Sequence, residues 1–258
     1  MKTRRSNRRN SGQVLVIASL VVTLLLLSTA LYVSEIEKNT AVYEQRVNPA
    51  FSAYKLGVTH TVISALANVS NGGSADVLAA DLSQFKSVVD GHSFNAIVKM
   101  DFTPFNTAPY QDGVWISWDA SGRGISSAYV SLVLNASGTS ATYYSEYAVN
   151  VTSEIEVNGH YTLLTGSLKQ VNVTCNVLNE GKPALAQNFT VYYEQDGSLS
   201  PEEWVQVMSQ SITDYGNGTY TMSFTAETTN PEDPMLVSVH SHDLRYILTK
   251  ANATCTQV

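Results

Sequence analysis

The residues best equipped for chemistry are two cysteines, a histidine pair, two alternating glutamates and a group of aromatic rings. Cys175 and Cys255 are far apart and form no CxxC pair, which excludes a thiolate zinc site. They are expected to form a disulfide worth about 4 kcal/mol on the chain-entropy model, with two buried free thiols as the alternative. His240-Ser241-His242 would set two imidazoles on one strand face, but Asp243 is the only neighbour that could join them, so a surface pair is the simpler expectation. Glu154 and Glu156 alternate beside an expected hairpin tip and read as a solvated face. Trp115, Trp118, Tyr143, Tyr144 and Tyr147 offer contact area for a glycan or protein groove, or else fill a sheet core. There is no HExxH, GxSxG or Gly-rich phosphate loop, and the five His are scattered. No catalytic, metal or cofactor-binding residue is assigned, no cofactor is expected, and the chain is not read as an enzyme.

Seven Asn-X-Ser/Thr sequons, at Asn68, Asn135, Asn150, Asn172, Asn188, Asn217 and Asn252, all follow residue 33. Each is an acceptor pattern for an N-linked glycan, or otherwise a polar residue on a strand face. Asn172 alternates with Val171 and Val173, and Asn188 precedes Phe189, so both are expected to point outward.

Only 14% of the 258 residues are charged, and the net charge is −7. An ordinary soluble domain carries roughly 25%, so water alone is not the expected solvent. Lys2, Arg4, Arg5, Arg8 and Arg9 precede residue 13 with no acid among them, leaving 15 − 5 = 10 basic against 22 acidic residues, or −12, for the remainder. Such a body repels phosphate backbones, and nucleic acid is not an expected partner. Val14 to Val33 carries no charge and is interrupted only by Ser19, Thr23, Ser28 and Thr29. As a helix it reaches about 30 Å, one hydrocarbon thickness. With the basic arm before it and Glu35 and Glu37 after it, the amino terminus is expected in the cytoplasm and the body outside, with residues 14–33 held by membrane lipid. A secretory signal cut after Ala30 is an alternative, since Ser28-Thr29-Ala30 supplies small residues where a signal peptidase reads.

The stretch Arg8-Arg9-Asn10-Ser11-Gly12-Gln13-Val14-Leu15 resembles the prepilin-type signal of type IV pilin-like and Tad-type pseudopilin proteins: a basic leader, Gly, then a polar residue opening an apolar helix. The resemblance implies cleavage between Gly12 and Gln13 and a helix that serves first as anchor and then as filament core. Its partners would be further copies of the chain or other filament subunits. Ile17 stands where many bacterial pilins have Glu.

The elements that must position these residues follow from periodicity. Pro49 to Asn68 places Phe51, Tyr54, Val58, Val62, Ala65 and Leu66 at helical spacing, with Asn71-Gly72-Gly73 as the stop and Gly57 as a weak point. Leu78, Leu82, Phe85 and Val89 form a second helical stripe capped by Ser74. From Phe94 the period changes to two. Strands are expected at Phe94 to Phe102, Val114 to Trp118, Ile125 to Leu134 and Ala141 to Val151, then Glu154 to Val157 and His160 to Leu164 joined by an Asn158-Gly159 hairpin. Beyond Ser167, six or seven short strands suggest a sandwich. Asp214-Tyr215-Gly216-Asn217-Gly218-Thr219-Tyr220 resembles the tyrosine corner of immunoglobulin-like and filamin-like domains.

The expected fold is mainly β with amino-terminal helices: a basic cytoplasmic leader at 1–12, a transmembrane helix at 13–34, a helix-plus-antiparallel-sheet domain at 35–166 and an Ig-like β-sandwich at 167–258. The expected role is a single-pass, membrane-anchored cell-surface structural protein of the pilin-like class. A surface adhesion module whose Ig-like domain binds a glycan or protein is the alternative.

Overall fold

The computed structural model describes residues 22–30, 51–91, 96–119, 121–138 and 142–258, and its described part is mainly β. The chain divides into two compact units, Met1–Tyr54 and Lys55–Val258. Within the first, 22–30 is helical with its apolar side chains exposed, and Ser28 and Thr29 donate their hydroxyls to the carbonyls of Leu25 and Leu26. The rest of the expected 14–33 span and the Gly12-Gln13 site lie outside the described residues. Among the described residues no helix is long and apolar enough to cross a membrane.

Helix α1, residues 51–70, buries Val58, Val62, Ala65 and Leu66, the stripe that its spacing predicts. Gly57 does not break it. A Cβ there would stand 2.6 Å from the Phe85 ring of helix α2 (Val77–Gly91), so this glycine lets the two helices approach. At the α1 terminus Gly72 takes φ +94°, which closes the helix after Asn71. The α2 helix packs on strand β1 (Ala96–Pro104), where Lys86 Nζ meets Asp101 Oδ1 at 2.6 Å.

Strand β3 (Arg123–Gly138) is antiparallel to β2 (Val114–Trp118) near its start, to β1 along the remainder, and to β4 (Thr142–Leu163) on its other side. Val98, Met100, Val130, Leu132, Leu134, Val149 and Val151 are buried on one side of this sheet. Residues of the opposite parity on β1 and β3, Lys99, Asp101, Thr103, Asn135 and Ser137, are exposed.

The expected Asn158-Gly159 hairpin is absent: β4 runs unbroken for 22 residues. Its first half pairs with β3 and its second with β5 (Leu168–Asn179). Alternation decides this. Ile155, Val157 and Tyr161 are buried at the same parity on both sides of Gly159. Gly159 serves a different need from a turn, because a Cβ at this position would overlap Cys255 Sγ.

Beyond β5 come β6 (Lys182–Pro183), β7 (Ala186–Tyr193), β8 (Val205–Gln206), β9 (Ser211–Asp214), β10 (Thr219–Glu227), β11 (Met235–Asp243) and β12 (Leu248–Gln257). The principal strand order is β8-β7-β11-β12-β4-β5-β10-β9, in which a short parallel pairing of Thr256 and Gln257 with His160 and Tyr161 joins β12 to β4. Val171, Val173, Cys175 and Val177 from β5 share one core with Tyr220, Met222 and Phe224 from β10 and with Val191, Val237, Val239, Ala251 and Cys255 from the other strands. Tyr220 Oη accepts from the Ala186 amide at 2.9 Å, so the tie runs from β10 to β7 and not to a residue just upstream. The expected boundary near residue 166 falls in the turn between β4 and β5, which pair directly beyond it as Leu163 with Lys169.

Candidate functional site on the sheet face away from the core

Register places Trp115, Ser127, Tyr129, Asn150 and Thr152 on the sheet side away from the apolar core: Trp115 pairs with Ser127, Ser127 with Thr152, and Tyr129 with Asn150. The segment after β1 adds Phe105 and Tyr110, held there because the Phe105 amide donates to the Tyr129 carbonyl at 3.0 Å. Four half-buried rings form one cluster. Phe105 and Tyr129 centroids are 4.8 Å apart, Phe105 and Tyr110 5.7 Å, and Tyr110 and Trp115 5.9 Å, with edge-to-face geometry in each pair.

Ser127 joins these rings to the hydroxyl groups. Its fully buried Oγ lies 2.9 Å from Tyr110 Oη, 2.7 Å from Thr152 Oγ1, 3.1 Å from the Val151 carbonyl and 3.3 Å from Asn150 Oδ1. One hydroxyl hydrogen serves one acceptor at a time, so Tyr110 and Thr152 can donate inward while Ser127 donates onward. The adjoining ions are already paired: Arg245 Nη1 meets Glu180 Oε1 at 2.7 Å, Glu180 Oε1 accepts from the Thr152 amide, and Arg245 Nη2 donates to the Thr152 carbonyl. Half-buried rings beside the exposed Asn150 amide, with the neighbouring charges compensated, suit a neutral ligand that has both C–H and polar groups.

Of the two readings of the five rings, a shared groove and sheet-core packing, the groove does not assemble. Trp118 and Trp115 are on opposite sheet sides; Trp118 instead donates Nε1–H to Ser126 Oγ and lies under Lys250 Nζ at 4.7 Å. Tyr143 and Tyr147 pair with Ala136 and Leu132, on the side opposite Tyr144, which pairs with Asn135. Burial holds the Tyr147 phenol above its ordinary pKa.

The cysteines, the histidine pair and the glutamates each take separate partners. Cys175 and Cys255 are both free thiols in the shared core, in place of the expected bridge. Each sulfur packs as an apolar group, Cys255 over Gly159 and Cys175 opposite Val157, and burial pushes the Cys255 thiol up to about 12. His240 Nε2 pairs with Ser238 Oγ at 3.1 Å, whereas His242 Nε2 pairs with Asn71 Oδ1 at 3.0 Å. No group of three metal-ligating side chains occurs among the described residues. Glu154 is buried and bonded to Arg123, against the expectation of a solvated face, while Glu156 is half-buried.

Among the sequons, Asn68, Asn135, Asn150, Asn188 and Asn217 are exposed, and Asn172 and Asn252 are half-buried. Asn68 lies within α1, and Ser70 of its sequon is buried, accepting from the Leu248 amide at 3.0 Å. Asn252 lines a groove of about 280 Å³ with Leu199, Trp204 and Leu236.

Sequence reasoning missed three functional-grade residues. Lys169 is fully buried, donates Nζ to the Asp233 carbonyl at 2.6 Å and sits 4.8 Å from the centre of the Tyr161 ring, with burial lowering its pKa. Its parity with Val171 and Val173 was the available signal. Ser127 and Tyr129 had no signal beyond alternation, because their partners come from distant strands. No protein-family model, curated protein or solved structure matches this chain.

Proposed function

We propose that this chain is a membrane-anchored cell-surface structural protein of the pilin-like class, whose amino-terminal helix first anchors it and then packs in a filament core. The observation that carries the reading is the order of parts: a basic leader, Gly12-Gln13, twenty residues from Val14 to Val33 without charge, and then a mainly β body. The hydroxyls of Ser28 and Thr29 support it. They bond to carbonyls of their own helix, so neither brings an unsatisfied polar group to an apolar phase. The finer reading of the carboxy-terminal strands as an Ig-like sandwich is supported by the core that β5 and β10 share with β7, β11 and β12.

The mature amino-terminal residue tests the proposal. Gln13 is expected in protein from the source cell; Leu31 would mean a cleaved secretory signal, Met1 an unprocessed anchor, and either result removes the pilin-like assembly. A second reading, a tethered binding module, is favoured by the hydroxyl and aromatic cluster on the sheet side away from the apolar core. Electron microscopy of cell surfaces with and without the protein separates the two, since only the first reading predicts loss of filaments.

A further inference from the structure

We propose that Asn150 carries a glycan and that its first sugars lie on the Tyr129, Tyr110 and Trp115 rings of the same chain. The proposal rests on the external display argued above. Asn150 is exposed in mid-strand within Asn150-Val151-Thr152. Its Oδ1 lies 3.3 Å from both the Ser127 and the Thr152 hydroxyls and accepts from whichever of the two does not donate to the other, whereas its Nδ2, the atom that a transferase must reach, donates to nothing among the described residues. The amide is thus oriented by its oxygen. Asn135 and Asn188 are also exposed, but among the described residues no hydroxyl network orients either amide. Asn217 is held in a similar way, with its Oδ1 on the Thr219 amide and its sequon hydroxyl on Asn176, but it lies in the turn before β10, away from the ring cluster that adjoins Asn150.

The seat is equally local. Tyr129 is the direct cross-strand partner of Asn150, about 5 Å away, with Tyr110 and Trp115 on the far side of it. A sugar leaving Nδ2 meets the half-buried Tyr129 first, with Tyr110 and Trp115 beyond it, and gains an apolar contact with the rings. In the transfer, Nδ2 attacks the anomeric carbon of a lipid-phosphate-linked oligosaccharide. The N–C bond forms, the C–O bond to phosphate breaks, the lipid phosphate leaves with the electron pair, and one Nδ2 proton passes to the transferase.

The test uses full-length protein purified from membranes of the source cell, as wild type and as Trp115→Ala, with Tyr110→Leu as the second variant if the first fails to fold. Glycopeptide mass mapping should find sugar on Asn150; an unmodified Asn150 peptide overturns the proposal. Periodate oxidation of the glycan diols should run about threefold slower in the folded protein than in the isolated glycopeptide, the scale of one ring contact, and the variant should narrow the difference. Equal rates in wild type and glycopeptide also overturn it. Protease treatment of intact cells keeps the two readings apart: a shaved body with an unmodified Asn150 rejects only the glycan, whereas a body the protease never reaches rejects the display on which it rests.

Discussion

His240 stands on β11 with its ring centroid 4.8 Å from that of Tyr192 and Nε2 against Ser238, and burial first, then Lys250 and His242, lowers its pKa to about 4. The unfolded value is 6.5, so between these limits the unfolded chain binds a proton that the folded chain refuses. Stability is therefore unaffected by His240 above about pH 6.5 and falls as the pH drops toward 4, by about 1–2 kcal/mol once solvent access to the half-buried ring is allowed for. Urea midpoints at pH 7 and pH 4.5 should show the loss in wild type and a smaller one in His240→Gln. Arg245 acts at the same scale. It joins buried Asp243 at 2.7 Å, Glu180 at 2.7 Å and the Thr152 carbonyl at 3.0 Å, fastening the β11–β12 turn to β4. Arg245→Ala leaves the Asp243 carboxylate with backbone donors alone and should cost about 2–3 kcal/mol in chemical denaturation. Arg245→Lys should recover little, because an ammonium cannot span three acceptors.

The long strand β4 carries the decisive packing at the scale of elements. Its odd-numbered residues bury Val149 and Val151 in one stretch and Ile155, Val157 and Tyr161 in another, with Gly159 admitting Cys255 from β12. Gly159→Ala should cost about 1–3 kcal/mol through overpacking. In the Gly159→Ala, Cys255→Ala double variant the two losses should not add, and a denaturation cycle measures the coupling; strict additivity would mean that the sulfur and the glycine do not meet. Both thiols in that core are free and buried. In the native protein neither should react with iodoacetamide, and after unfolding without reductant both should; mass mapping reads each site.

Across the whole molecule, much of the element order follows from periodicity alone. The α1 and α2 stripes, β2 and the alternation of β5 and β10 depend on which side chains recur at 3.6 or 2 residues, and those patterns are local. The leader, the uncharged segment and the sequons are likewise properties of composition and spacing. Tertiary structure decided what a local signal cannot carry. Asn158-Gly159 has the residues of a turn, yet the strand continues because burying Ile155, Val157 and Tyr161 on one face outweighs a two-residue preference, and because Cys255 needs the space. Trp115 and Trp118 are near in sequence and on opposite sides of a sheet, whereas Trp115 and Tyr110 meet through a chain reversal. The residue types that could do chemistry were legible from the start; which of them touch depended on strand pairing, and pairing is set by the burial of whole faces and not by any one residue.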